Sequence, residues 1–323
     1  MSDVSQVLET FPWLGWIFSF VFGAVVGSFL NVCIHRIPEG RSIVYPGSRC
    51  VCGSPIPWYD NLPIVSWFVL RGRARCCGRR FGFRYPFVEI LTASLFLLSW
   101  ITHSVPEALC LWVFFALLVP AVFIDLDHFI IPDRFSVGGM FAGVFLSALV
   151  PELHGFANPG GIAVFSGLGA AVVGALVGSA VVYWFGAIAE IVFRKEALGQ
   201  GDVKLAGCFG AFCGWEGAVF SLFGGALIGT VLLLPVLVWQ RFFSDGPGGA
   251  ARPPEAPPTA RAGGECPPEG DGPAEDEDVS IGFGTAVPFG PMLCAAIALY
   301  VFWLEEVVRG WFAEAGDLLR AIL

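Results

Sequence analysis

Gly199-Gln200-Gly201-Asp202-Val203-Lys204 stands between long apolar runs, and Asp125-Leu126-Asp127 closes another such run. Carboxylates at membrane boundaries are costly and are retained where they function. Asp125 and Asp202, brought together, would make an aspartyl-type catalytic pair. The rest of the chain supports the membrane setting. Of its 323 residues 56% are hydrophobic, and the mean hydropathy is +0.73. Soluble domains hold roughly 45–50% apolar residues even with glycine counted. The composition predicts an all-α polytopic membrane protein.

The hydropathy pattern predicts about eight spans: 12–34, 87–101, 109–124, 135–150, 161–192, 203–214, 218–239 and 288–304. Residues 203–214 are too few to cross about 30 Å of hydrocarbon and read as a partial helix buried in the bundle. Glycine and alanine crowd 161–192, as in closely packed membrane helices. The organisation is then a first transmembrane helix (1–34), a small Cys/Arg-rich domain (35–86), a transmembrane core (87–242), an acidic loop (243–281) and a last helix with a tail (282–323). The loop is rich in Pro, Gly, Ala and Glu, cannot bury enough apolar area to order itself, and reads as disordered. Residues 311–323 read as a short amphipathic tail.

The formal charge of −9 is unevenly distributed: residues 243–281 hold nine acids against two arginines, whereas 35–86 hold nine arginines against Glu39 and Asp60. The positive-inside bias puts that arginine-rich domain in the cytoplasm. Its place between two spans argues against the rival reading, nucleic-acid binding. Residues 1–10 contain no Lys or Arg and lack the basic region and cleavage site of a signal peptide, so the first apolar run reads as a retained helix. Threading the spans from an outside N-terminus brings the third span inward to Asp125 and the fifth inward to just before Asp202. Both carboxylates fall on the cytoplasmic side.

Individual residues carry alternative readings. Asp125 and Asp127 are two residues apart and do not share a helix face, so only one points into the bundle. Pro132 disfavours helix at Ile131 and starts a new segment; Asp133 fits an N-cap there. Gly199 and Gly201 let the backbone pass close to a neighbouring helix or an extended peptide. Asp202 is either catalytic or a cap for the short helix that follows. Lys204 is either an interfacial anchor or a charge that tunes the carboxylate. Among the ten cysteines, Cys33, Cys110, Cys208, Cys213 and Cys294 lie in or beside spans and read as small hydrophobes. Cys266 falls in the acidic loop as a free thiol. Cys50, Cys52, Cys76 and Cys77 cluster in the arginine-rich domain, where a reducing compartment disfavours disulfides and leaves metal binding open.

Taken together, these segments resemble the type IV prepilin peptidases, the leader peptidases and N-methyltransferases of type IV pilus and type II secretion systems. The likeness runs through Gly27-Ser-Phe-Leu-Asn31-Val with Arg36-Ile-Pro38, Asp60-Asn-Leu-Pro63-Ile-Val-Ser66-Trp67, Arg71-Gly72-Arg73, Arg84-Tyr85-Pro86-Phe-Val-Glu89, Asp125 with Ile131-Pro132-Asp133, Gly199-Gln-Gly-Asp202-Val-Lys204 and Pro288-Phe-Gly-Pro291. The resemblance implies that 87–242 is a peptidase core of the GxGD aspartyl type, that Asp125 and Asp202 are catalytic, and that Asp127 is a companion. Two close carboxylates hold one proton between them. The ionised one activates water, and the protonated one polarises the scissile carbonyl. The implied substrates are prepilins and pseudopilins, cleaved after a Gly before their apolar N-terminal helix. The new N-terminus is then methylated with S-adenosylmethionine. The implied setting is the bacterial inner membrane, surrounded by lipid, with the site facing the cytoplasm.

Family members carry two Cys-x-x-Cys pairs suited to zinc. Here Arg49-Cys50-Val51-Cys52-Gly53 and Ala74-Arg75-Cys76-Cys77-Gly78 depart from that spacing. Either the four thiolates still converge on zinc, or the domain folds without metal. Asn31 and Arg36 either help form a methyl-donor site or serve helix packing and the interface. Two rivals to the main reading remain: a peptidase that has lost methylation, and a proton-coupled transporter, which predicts charges near mid-membrane rather than at one face.

Overall fold

The structure, a computed structural model, describes residues 10–50, 52–156, 161–194, 198–243 and 288–322. The acidic loop and Cys266 lie outside the described residues. The chain divides into two units: Met1–Ile228 with Pro288–Leu323, and Gly229–Val287. The account below concerns the first, and of the second only 229–243, the end of a long helix, are described.

The helices are α1 (Pro12–Arg36), α2 (Val65–Leu70), α3 (Arg84–Thr102), α4 (Val105–His128), α5 (Asp133–Leu149), α6 (Gly161–Phe193), α7 (Gln200–Phe243), α8 (Gly290–Leu299) and α9 (Glu305–Ile322), with a π-helical turn Tyr300–Leu304 joining the last two. No strand occurs among the described residues; two isolated bridges, Arg49 with Pro55 and Arg73 with Arg80, mark turns in the domain between α1 and α3. Among the described residues six helices are long and apolar enough to cross a membrane. The 17-residue α5 is a shorter apolar helix in the same bundle.

Gly214 divides α7. Its φ of 75° and ψ of 173° are not helical. A Cβ placed on Gly178 of α6 would meet both the Ala206 carbonyl and the Ala218 methyl. In one straight helix those residues would stand roughly 18 Å apart at 1.5 Å per residue. The chain therefore reverses at Gly214. The second limb runs antiparallel to α8, with Gly217 against Tyr300, Gly224 against Ala296 and Gly225 against Leu293. The stretches 203–214 and 218–228 are thus two limbs of a hairpin. This also explains why so short a segment works: the first limb is covered by α4, α5 and α6 rather than by lipid. Leu205, Ala206, Cys208, Phe209, Ala211 and Phe212 are all buried.

Close approach elsewhere also rests on small residues. On α1, Gly15, Gly23 and Gly27 recur on one face, and a Cβ there would stand 2.5 Å from Trp100, 2.8 Å from Ala93 and 2.8 Å from Glu89, all on α3. Such stripes let membrane helices pack where burial of apolar surface supplies no driving force. Asn31 continues the stripe, its amide donating to the Tyr85 carbonyl at 3.0 Å. The core around the first half of α4 is aromatic: Phe114 and Phe212 meet with ring centroids 4.8 Å apart and planes tilted by 37°.

Some helix ends differ from expectation. α4 starts at Val105, before 109, because Glu107 accepts the Ser104 backbone N–H at 2.9 Å and caps the first turn. α3 begins at Arg84 and α1 continues to Arg36. Asp133 does not cap α5: Pro132 occupies the N-cap position, and the Asp133 carboxylate binds Lys204 instead. The tail helix α9 begins at Glu305 and carries one strongly apolar face, on which Val307, Trp311, Leu318 and Leu319 are exposed.

Candidate active site

Among the described residues three acidic side chains are buried: Glu89, Asp125 and Asp202. Asp125 lies in the last turn of α4, and Asp202 in the first turn of α7. Their helices are antiparallel neighbours, so both carboxylates come to the same end of the bundle. They are 6% and 7% exposed, and the charge of Asp125 acts on Asp202. A Cβ on Gly290, the first residue of α8, would stand 2.6 Å from Asp125 Oδ2. Ile131 closes the other side, within 3.1 Å of a Cβ at Gly201 and 3.1 Å of one at Gly290. The Asp202 carboxylate is turned toward Gly199, 3.6 Å from its Cβ position.

The two companions face elsewhere. Asp127 takes a two-pronged bond from Arg84, at 2.8 and 2.6 Å, and Arg84 also donates to the Phe123 carbonyl. Lys204 binds Asp133 at 2.6 Å, tying α7 to α5. Each pair neutralises a charge at the rim, whereas Asp125 and Asp202 have no cationic partner among the described residues. Both pairs join residues far apart in sequence, which pattern alone did not reveal. Glu89 is a further contributor that spacing did not single out, although a carboxylate inside an apolar run was the available signal. It accepts the Ile64 backbone N–H at 2.6 Å, and Ile64 sits at φ 63°, unusual for a β-branched residue.

The four cysteines of the domain between α1 and α3 converge. Their sulfurs all lie within 4.8 Å of one another, with Cys50–Cys77 at 3.6 Å and Cys52–Cys76 at 3.4 Å. Two tight turns do this. Gly53 N–H returns to the Cys50 carbonyl and Gly78 N–H to the Ala74 carbonyl, each glycine at positive φ. Hydrogen bonds from Ser54, then from Cys76 and Cys50, push the Cys52 thiol down to about 6. Bonds with Cys50 and Cys52 push Cys76 up to about 12. The cluster's sulfur spacing fits a tetrahedral cation with bonds of about 2.3 Å. Arg75, beside it, grips Asp60 through two bonds at 3.0 and 2.8 Å.

A helical membrane bundle with paired buried carboxylates at one end defines a polytopic membrane protein with an aspartyl-type site. Residues 21–103 match the bacterial peptidase A24 N-terminal domain, and residues 112–234 match the type IV leader peptidase family. A prepilin leader peptidase/N-methyltransferase of Myxococcus xanthus is 41% identical over 228 residues, covering 68% of this chain and 63% of the relative. Its counterpart in Aeromonas hydrophila is 31% identical over 342 residues, covering 97% of this chain and 98% of the relative. That of Klebsiella pneumoniae is 36% identical over 218 residues, covering 64% and 88%. No solved structure matches. The chain belongs to the type IV leader peptidase family.

Proposed function

We propose that this protein is a membrane aspartyl endopeptidase that removes the leader of type IV prepilins and pseudopilins after Gly and then N-methylates the new N-terminus. The observation that carries the reading is the burial of Asp125 and Asp202 together at one end of the bundle, with the neighbouring acids Asp127 and Asp133 already paired. Two unpaired carboxylates in reach of each other share one proton. The ionised carboxylate takes a proton from water as the water adds to the scissile carbonyl. The protonated carboxylate donates a hydrogen bond to the carbonyl oxygen as it gains charge. Collapse of the tetrahedral species expels the new amine, which takes up a proton. Gly201 and Gly290 let Ile131 and the Asp125 carboxylate pack close at the site. The apolar helix of the substrate lies along the bundle in the lipid. The arginine-rich domain orients this end toward the cytoplasm of a bacterial inner membrane.

S-adenosylmethionine, when bound, supplies the methyl group. Arg36, Ser48 and Asn61 line a cavity of about 330 Å³ against Phe29; their donors fit the carboxylate and ribose of such a molecule, and the ring fits its base. One zinc ion held by Cys50, Cys52, Cys76 and Cys77 would cross-link the two turns of this domain, a structural role with no part in the peptide chemistry.

The test is incubation of the purified protein with a prepilin and labelled S-adenosylmethionine, following cleavage and methyl incorporation separately. Asp125→Asn and Asp202→Asn should each abolish cleavage while the melting temperature stays within a few degrees. Normal processing by either variant would refute the assignment. Cleavage without methyl incorporation would identify a peptidase that has lost methylation.

A further inference from the structure

The nine arginines of residues 35–86 separate by partner. Arg75 is clamped by Asp60, Arg84 by Asp127, Arg41 by Glu39, and Arg36 donates to the Ser42 and Gly47 carbonyls. Arg49, Arg71, Arg73, Arg79 and Arg80 have no carboxylate partner among the described residues. Of these, Arg71, Arg73 and Arg80 line one cavity of about 490 Å³, whose wall is completed by Trp67, Leu70 and Phe81. Three like charges around one cavity repel one another until an anion enters.

The start of the same segment is held against the apolar helices α1 and α3. Ile64 is hydrogen-bonded to Glu89, and Glu89 packs against Gly27 of α1. Gly27 precedes the end of α1 at Arg36 by roughly 14 Å along the axis. Asn61 and Pro63 line a cleft with Val25 and Phe29, apolar residues of the membrane-crossing part of α1. From there the chain presents Leu62, Val65, Phe68 and Val69 outward; Val69 is 69% exposed. A patch of this kind facing water would be a liability. Beside a lipid leaflet it is the apolar half of an interfacial segment whose arginines sit at the headgroups.

We infer that residues 62–81 form a binding site for an anionic phospholipid of the adjoining leaflet. The phosphate enters the cavity between Arg71, Arg73 and Arg80, and the acyl chains run along Leu62, Val65, Phe68 and Val69. The site is separate from the aspartates and stands whether or not the peptidase reading does.

Thermal unfolding of the full chain in detergent tests it, with phosphatidylglycerol, phosphatidylcholine or inorganic phosphate added. Phosphatidylglycerol should raise the melting temperature, and the other two should not. The combined Arg71→Gln, Arg73→Gln and Arg80→Gln variant should bind phosphatidylglycerol about a hundredfold more weakly, at roughly fivefold per arginine. Arg41→Gln with Arg49→Gln should leave binding unchanged. Equal protection by phosphatidylcholine, equal protection by inorganic phosphate alone, or undiminished affinity in the triple variant would overturn the inference. Hydrogen exchange on the unmodified protein serves if that variant does not fold. Peptides covering 62–81 should exchange more slowly in phosphatidylglycerol nanodiscs than in phosphatidylcholine ones, and identical exchange would overturn the inference as well.

Discussion

Gly290 holds the Asp125 carboxylate at a distance that admits no side chain: a Cβ there would stand 2.6 Å from Oδ2. Gly290→Ala should therefore displace Asp125 while leaving α8 helical. Misplacement of a reacting group by about 1 Å costs on the order of a hundredfold in rate. Leader cleavage by Gly290→Ala should fall by that order with little change in melting temperature. A variant that cleaves at the normal rate would remove Gly290 from the site.

Asp127 is expected to act through Arg84 and not on the peptide bond. In a double-mutant cycle with Arg84→Met and Asp127→Asn, the coupling should be about 1 kcal/mol. That is modest because both groups are about a third exposed, and above a typical surface pair because the bond is two-pronged. Cleavage by Asp127→Asn should stay within severalfold of normal. Its abolition would place Asp127 among the reacting groups.

Gly214 should tolerate no side chain. Its backbone lies in a region essentially reserved for glycine, and strain there costs about 1–3 kcal/mol. A Cβ would also stand 3.0 Å from Glu216 Oε2. Gly214→Ala should lower stability by about 2 kcal/mol, read from chemical or thermal unfolding. Unchanged stability would mean that α7 does not need the reversal.

His154, in the turn after α5, links stability to pH. Burial, and then the charge of Arg309, push its imidazole down from 6.5 to about 4, while Ser147 Oγ lies 2.9 Å from Nε2. The unfolded chain takes up this proton first as pH falls. The contribution is therefore complete above pH 6.5 and is lost progressively toward pH 4, by about 3 kcal/mol at most. Melting temperatures between these pH values should fall more steeply in the unmodified protein than in His154→Gln. Parallel slopes would show that His154 does not report this linkage.

The cysteine cluster predicts about one zinc per purified chain by metal analysis, lost in Cys52→Ser and Cys77→Ser. Chelation should expose 49–81 to proteolysis and leave the helices intact. A metal-free unmodified protein would mean that the two turns close without an ion.

Much of the architecture was legible in the residues themselves. Apolar runs of helical length, an arginine-rich loop between the first two, and carboxylates at run ends are local signals, because lipid tests each segment almost independently. On those signals alone 203–214 and 218–239 were separable spans, parted by Gly214-Trp215-Glu216-Gly217. What pattern left open depended on partners distant in sequence. Asp133 suited a helix cap by local rule, yet Lys204, brought alongside by α7, offered an opposite charge. The displaced cysteines were ambiguous because spacing measures the chain and coordination measures space. Two glycine-closed turns bring their sulfurs together where counting could not. Composition and order determined a membrane bundle of the leader peptidase family with two candidate aspartates. Tertiary structure alone decided which acids are left unpaired. Pairing needs partners from other helices, and Asp127 and Asp133 find them in Arg84 and Lys204 while Asp125 and Asp202 do not.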